Sequence, residues 1–379
     1  MSDVYQDSLE LHKKYHGKLA VVSKVPLTTK ADLSLAYTPG VAEICRVIAK
    51  DKTQTRELTL KGNTVAVITD GSAILGLGNL GPEAALPVME GKCALFKEFA
   101  GVDAFPICLD TQDTEEIIKA VKYLAPVFGG INLEDISAPR CFEIEARLKK
   151  ELNIPVMHDD QHGTAVVVLA ALINALRVRG LENIMSVRIV ISGAGAAGTA
   201  VAELLLHSGF ANIIVCDRIG AIYEGRPDLN AEKVKLSKIT NRSRFAGPLK
   251  EAVREASVFI GVSAPGLLIA EMIKSMKERP IIFALANPVP EIMPEEAKAA
   301  GAFIVASGRS DYPNQINNVL AFPGIFRGAL DNRVKDITDA MLVRAAKNLS
   351  TLVTEPTPDR ILPDPFDKEV VKAVASAIC

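Results

Sequence analysis

The sequence predicts an α/β protein built from two parallel-sheet halves, and three observations carry that prediction. The chain has 379 residues, too long for one ordinary core and suited to two domains. Its second half holds five short β-rich runs, "VRIVIS" (187–192), "NIIVC" (212–216), "SVFIGV" (257–262), "PIIFAL" (280–285) and "AFIVAS" (302–307), with helix-like segments between most of them. Near-continuous apolar strands alternating with helices imply a parallel sheet covered on both faces. The third observation is the run "SGAGAAGTAVAELLLHSG", which follows the first of these strands and opens a helix.

Taken in order, the first half offers "TVAVIT" (64–69), "DAFPICL" (103–109) and "INLEDI" (131–136) as strands among helical segments, and "NIPVMHDD" as a strand running into a loop. An apolar helix is expected over 164–179, with Thr164 as its N-cap, at the junction of the two halves. We place domain boundaries at 1–163, 164–325 and 326–379, the last a helical segment interrupted by "TEPTPDRILPDP" and expected to pack back on the first half or on another subunit. In the second half Gly193, Gly195 and Gly198 form G-x-G-x-x-G, with Ala196 and Ala197 inside it. Gly193 suits the tight turn, Gly195 a close approach of backbone to a pyrophosphate, and Gly198 close helix–strand packing. Asp217, 19 residues after Gly198 at the end of the next strand, is placed to accept hydrogen bonds from an adenosine ribose. The second half therefore reads as a Rossmann-type domain for NAD or NADP. The rival reading is a packed strand–helix unit with no ligand.

Composition narrows the partners. Apolar residues make up 49% and charged residues 23%, with a net charge of −2. That balance argues against nucleic acid or an anionic membrane and for a small-molecule substrate. The longest apolar run, "TAVVVLAALINALRV" (164–178), is short for a bilayer and carries Asn174 and Arg177. The charged N-terminus lacks the apolar core of a signal peptide. Cysteines 45, 93, 108, 141, 216 and 379 form no C-x-x-C pair, so idle thiols in a reducing cytoplasm are expected rather than disulfides or thiolate zinc.

Several residues can carry chemistry. Glu134–Asp135 and Asp159–Asp160 each follow a β-like run, which places them at the carboxyl ends of strands, the usual ligand edge of an α/β sheet. Carboxylates gathered without thiolates suit Mg²⁺ or Mn²⁺ better than zinc. The alternative for each pair is a solvated acidic turn. His158 and His162 have the spacing of a zinc site only if 158–162 is helical; the expected loop favours hydrogen bonding around the turn. Tyr37, before a Thr-Pro-Gly turn, is either a proton donor or a half-buried aromatic. Lys92, in an apolar stretch, is either a base desolvated into action or a lysine snorkelling from a helix end.

The segments "SLAYTPGVAEI", "TDGSAILGLGNLGPEAALPVMEGK", "GGINLEDI", "HDDQHGTA", "GVSAPGLL", "ANPVPEI" and "QINNVLAFPG" occur in order. Together they resemble malic enzyme, the decarboxylating malate dehydrogenase, in its short bacterial-type form, over nearly the whole chain. The resemblance implies that Glu134, Asp135 and Asp160 are divalent-metal ligands, Lys92 the general base, Tyr37 the general acid, and Asp159 the carboxylate supporting the lysine. It implies substrate contacts from Asn287 and Asn318, and cofactor contacts from Gly193, Gly195, Ala196, Ala197, Gly198, Asp217, Ser263 and Asn287. The implied reaction is oxidative decarboxylation of L-malate to pyruvate and CO₂, in a cytoplasmic homodimer or larger assembly in which Tyr37 reaches a neighbouring subunit's site. Larger members of the family carry an arginine where this chain has Ala73. A carboxylate at 217 favours NAD, with Arg218 working the other way. Two alternatives remain on sequence alone: an oxaloacetate decarboxylase of the same family, and a catalytically silent dinucleotide-binding protein.

Overall fold

The structure, a computed structural model, describes residues 4–181 and 183–379. Two parallel sheets organise it. The first holds β1 (Thr64–Thr69), β2 (Asp103–Cys108), β3 (Gly130–Leu133) and β4 (Val156–His158) in the order β2-β1-β3-β4. Val65 lies opposite Ala104 on one side and Gly130 on the other. The second holds β5 (Arg188–Ser192), β6 (Asn212–Cys216), β7 (Val258–Gly261), β8 (Ile281–Ala284) and β9 (Ile304–Ser307) in the order β6-β5-β7-β8-β9. Every residue of β1 is buried, which explains why "TVAVIT" shows no polar alternation: helices cover both faces of the sheet. Each order reverses once, beside β1 in the first sheet and beside β5 in the second. Such reversals open crevices at strand carboxyl ends.

The helix Asp159–Arg179 joins the halves, and here the expectation is corrected. It begins at Asp159, with His158 at the N-cap position, so Thr164 is an interior residue. Two acids in the first turn favour that start through the helix dipole. Gly163, which reads in sequence as a breaker, is needed for packing: a Cβ there would lie 1.8 Å from Asp159 Oδ1. The helix is long and apolar enough to cross a membrane, yet it serves as a core element here, with 72% of its apolar window buried. Asn174 donates to the carbonyls of Ser350 and Ile361, and Arg177 to those of Val353 and Thr354, so both polar residues tie down the C-terminal segment. One buried cluster runs from Val65 and Phe96 through Val166–Leu172 to Ile189 and Val215. At the other end of the chain, the helix Phe322–Asp331 stacks Phe322 and Phe326 edge-on against Phe96, at 4.7 and 5.5 Å between centroids. Phe96 lies on the helix Pro82–Ala100, which also carries Lys92.

Candidate active site

The carboxyl ends of the two sheets face each other across a cavity of about 570 Å³. The first sheet contributes Glu134 and Asp135 from the end of β3, the helix that follows β4 contributes Asp160 from its first turn, and Lys92 enters from the helix Pro82–Ala100. Gly195, Ser263 and Asn287 come from the second sheet, and Asn318 from the short helix Asn318–Leu320. Chain segments far apart in sequence thus meet because both sheets present their ligand edges to one space.

Lys92 is buried, and its Nζ lies 2.6 Å from Asp159 Oδ2 and 2.9 Å from Glu134 Oε1. The Phe322 ring centroid is 4.2 Å away. Burial by itself lowers the lysine pKa, but Asp159 and Glu134 overcome that effect and hold the group above its ordinary value. Asp159 Oδ2 also accepts from Asn318 Nδ2 at 2.6 Å. Glu134 is braced by buried Asn132, whose Nδ2 donates to Glu134 Oε2 at 2.9 Å.

The acidic pairs behave as the two turns dictate. Asp135 sits in the left-handed region at φ +52°, uncommon for a residue bearing a side chain, and its N–H donates to Asp160 Oδ2 at 2.8 Å. Asp135 Oδ2 is buried with no hydrogen-bond partner. Loss of water raises the pKa of Asp135, and repulsion from Asp160 and Glu134 adds to it. Glu134 and Asp160 are raised as well, first by burial, although Lys92 pulls both down. Three carboxylates against one ammonium leave the wall negative, with an oxygen-only donor set and one orphaned oxygen. That chemistry fits a hard divalent cation. Among the described residues no three ligands are already gathered at coordination distance: Glu134 is spent on Lys92 and Asn132, and Asp160 on the Asp135 N–H.

The segment from 159 to 162 is helical after all, yet the His162 ring turns to Glu145, a buried acid that the sequence reading missed, while the His158 ring faces Gln161 and Asp160. The backbone N–H of His158 donates to Glu145 Oε1 at 2.9 Å, and His162 Nε2 lies 3.0 Å from Oε2. Burial lowers His158 to about 4, so its ring is neutral at physiological pH. Nothing local in "EIEARLKK" distinguishes Glu145 from the charged face of a surface helix; only the fold puts it under the turn.

In the second half, a Cβ at Gly193 would meet the Val262 carbonyl oxygen at 2.7 Å, and one at Gly198 the Gly193 carbonyl oxygen at 1.9 Å. A Cβ at Gly195 meets nothing within 4 Å, so that space is open. Ala196 and Ala197 begin the helix Ala196–His207 at the cavity rim. Asp217 directly follows β6, but its carboxylate is already engaged: Arg226 holds both oxygens at 3.0 and 2.5 Å, and Lys233 Nζ is 2.6 Å from Oδ2. The Ile219 N–H donates to Oδ1 as well. Against the effect of burial, these cations keep Asp217 below the ordinary carboxylate range. Tyr37 is not brought to the cavity of its own chain; it caps the helix Lys30–Ala36 and is 66% exposed.

Residues 16–149 match the family model described as malic enzyme, N-terminal domain, and residues 161–379 that described as malic enzyme, NAD binding domain. A Bacillus subtilis (strain 168) protein named bifunctional malic/malolactic enzyme is 57% identical over 376 residues, covering 98% of this chain and 92% of its own. A Geobacillus stearothermophilus protein named NAD-dependent malic enzyme is 56% identical over 366 residues, covering 96% and 76%. A crystal structure of NAD-dependent malic enzyme from Thermotoga maritima superposes with a TM-score of 0.95 at 51% identity, covering 100% of this chain and 99% of that one.

Proposed function

The chain belongs to the malic enzyme family, and from that premise we propose that it converts L-malate and NAD⁺ to pyruvate, CO₂ and NADH, with Mg²⁺ or Mn²⁺ bound by Glu134, Asp135 and Asp160. It is an oxidoreductase that decarboxylates malate. The observation that carries the residue assignment is Lys92, among the described residues the one cation lining the cavity, buried and paired with both Asp159 and Glu134. Once its ammonium has passed a proton to Asp159 Oδ2, the nearest acceptor at 2.6 Å, the neutral Lys92 amine takes the proton of the C2 hydroxyl. A bound divalent cation would supply a Lewis acid, and a bound dinucleotide the oxidant. A dicarboxylate entering a wall of negative charge needs that cation, because Ala73 leaves no arginine at the position where larger family members have one. Asn287 and Asn318 orient the substrate; among the described residues the Asn287 side-chain amide has no hydrogen-bond partner within the chain and is free for a ligand. Gly193, Gly195, Ala196, Ala197, Gly198 and Ser263 hold the dinucleotide. NAD is the first choice, and NADP is admitted because Asp217 is already neutralised by Arg226 and Lys233.

The reaction is tested by mixing the protein with L-malate, Mn²⁺ and NAD⁺ or NADP⁺ and following reduced cofactor together with pyruvate. We expect both products in equal amounts. Pyruvate from oxaloacetate without reduced cofactor would replace this reading with a simple decarboxylase, and neither product would leave only dinucleotide binding.

Loss of CO₂ leaves charge on C3 that a donor must quench, and we assign this to Tyr37 of a second copy. The helices Val4–Tyr15, Lys30–Ala36 and Val41–Lys50 bury no residue. Val21, Leu35 and Tyr37 are 92%, 77% and 66% exposed, an apolar surface that a homodimer would cover. Mixing inactive Tyr37→Phe and Lys92→Ala proteins should restore partial activity in hybrid dimers; no restoration would show that Tyr37 does not act across the interface.

A further inference from the structure

Two loops of the second sheet wall the cavity, one after β7 and one after β8, and a single acid lies between them. Glu291 is wholly buried. Its Oε1 accepts the Ser263 N–H at 2.9 Å and its Oε2 the Ala286 N–H at 3.0 Å. The backbone repeats the link: the Leu268 N–H donates to the Glu291 carbonyl at 3.1 Å and the Gly266 N–H to the Pro290 carbonyl at 3.3 Å. Room for the carboxylate comes from Gly261, where a Cβ would lie 2.3 Å from Glu291 Cδ. Among the described residues no lysine, arginine or histidine forms an ion pair with it.

A carboxylate buried without a cation is a poor device for stability, since apolar residues fill such space at less cost. What it does well is accept on both oxygens at once. The two N–H groups it holds belong to Ser263, which lines the cavity, and to Ala286, the neighbour of Asn287, which lines it too. We propose that Glu291 is a positioning residue for the dinucleotide: it clamps the β7 and β8 loops together so that Ser263 and Asn287 are fixed at the cofactor's reactive end. This rests on the reading above that the cavity takes a dinucleotide beside malate.

Glutamine is the sharp test, because it has the same shape but one acceptor fewer. Its Nε2 would face an N–H donor, so one of the two loops must let go. In full-length Glu291→Gln we expect the NADH dissociation constant, read by NADH fluorescence, and the KM for NAD⁺ to rise about tenfold or more, as for a lost hydrogen bond to a charged group. Glu291→Asp, which keeps both acceptors on a shorter stem, should recover part of that loss. A folded Glu291→Gln protein with a lower melting temperature but unchanged NADH affinity and KM would overturn the proposal, leaving Glu291 a merely structural residue. If Glu291→Gln does not fold, Glu291→Asp decides: wild-type NADH affinity overturns the clamp and weakened affinity supports it. NADH binding is read without malate, so a wild-type protein that binds NADH but does not oxidise malate defeats the proposed reaction alone.

Discussion

The carboxyl edges of the two sheets are built alike and charged in opposite ways. At the first, Glu134, Asp135 and Asp160 converge with, among the described residues, only Lys92 to offset them, and their carboxyl pKa values are driven up by burial and repulsion. At the second, the acid at the end of β6, Asp217, is satisfied within the chain by Arg226 and Lys233 and driven down. Local sequence shows an acid after a short strand in both places. The difference is whether the fold brings cations to it. An acid with its own cations is finished; a cluster without them is waiting for a ligand, and that distinction separates a chemical site from a binding edge.

The strongest way to break this comparison is to remove the one cation of the first edge. Lys92→Ala should lower malate turnover by about 10²–10⁴-fold while leaving NADH binding nearly unchanged, as measured by steady-state kinetics beside a fluorescence titration. Retained turnover would end its assignment as base. Next comes the divalent cation proposed for the cluster. Asp160→Asn should weaken Mn²⁺ binding, read calorimetrically, by about 100-fold or more, since even residues that only support metal ligands cost about 10–100-fold. Thorough chelation of the wild type should abolish turnover. The second edge should respond more mildly. Asp217→Asn frees Arg226 and Lys233 for a 2′-phosphate, so the NADP⁺ to NAD⁺ ratio of kcat/KM should rise by about tenfold, equivalent to about 1.4 kcal/mol. An unchanged ratio would mean these cations do not face the ribose.

The smallest effect comes from the far edge of the first sheet. Asp103 opens β2 and, like Asp217, carries its own cations, Lys24 and Lys97, 2.9 and 2.7 Å away. Burial raises its pKa, but Lys97, Lys24 and Asn63 outweigh this and bring it down to about 2. A depressed carboxyl stabilises the fold above its unfolded-state pKa, near 3.8, and that stability is lost as pH falls through about 2. Asp103→Asn should therefore cost about 1 kcal/mol by urea unfolding at pH 7, a partly exposed pair being screened. The gap from wild type should close on acidification toward pH 2.

Much of this was legible along the chain. Eight of the nine strands coincide with short β-rich runs, and β4 with the strand read into "NIPVMHDD". The G-x-G-x-x-G turn stands where a Cβ at two of its glycines would collide with backbone. The start of the long helix was misplaced because Gly163 counts as a breaker in sequence, while the space beside the Asp159 carboxylate requires it. Glu145 gave no signal, and Glu291, although inside "ANPVPEI", was given no role: an acid in a helix or loop is solvated by default, and only packing buries it. Tyr37, conspicuous in its motif, lies outside the cavity of its own chain.

Composition, periodicity and glycine placement by themselves determined that this is a two-sheet α/β chain with a glycine-rich turn opening a helix, because strand burial and backbone crowding act over a few residues. The tertiary structure alone decided which acids share a space, which of them meet a cation, and which backbone N–H groups a buried carboxylate ties together. Those facts depend on through-space distances of 2.6–3.0 Å between residues as far apart as Lys92 and Asp159 or Ser263 and Glu291, and electrostatics acts on distance through space, not along the chain.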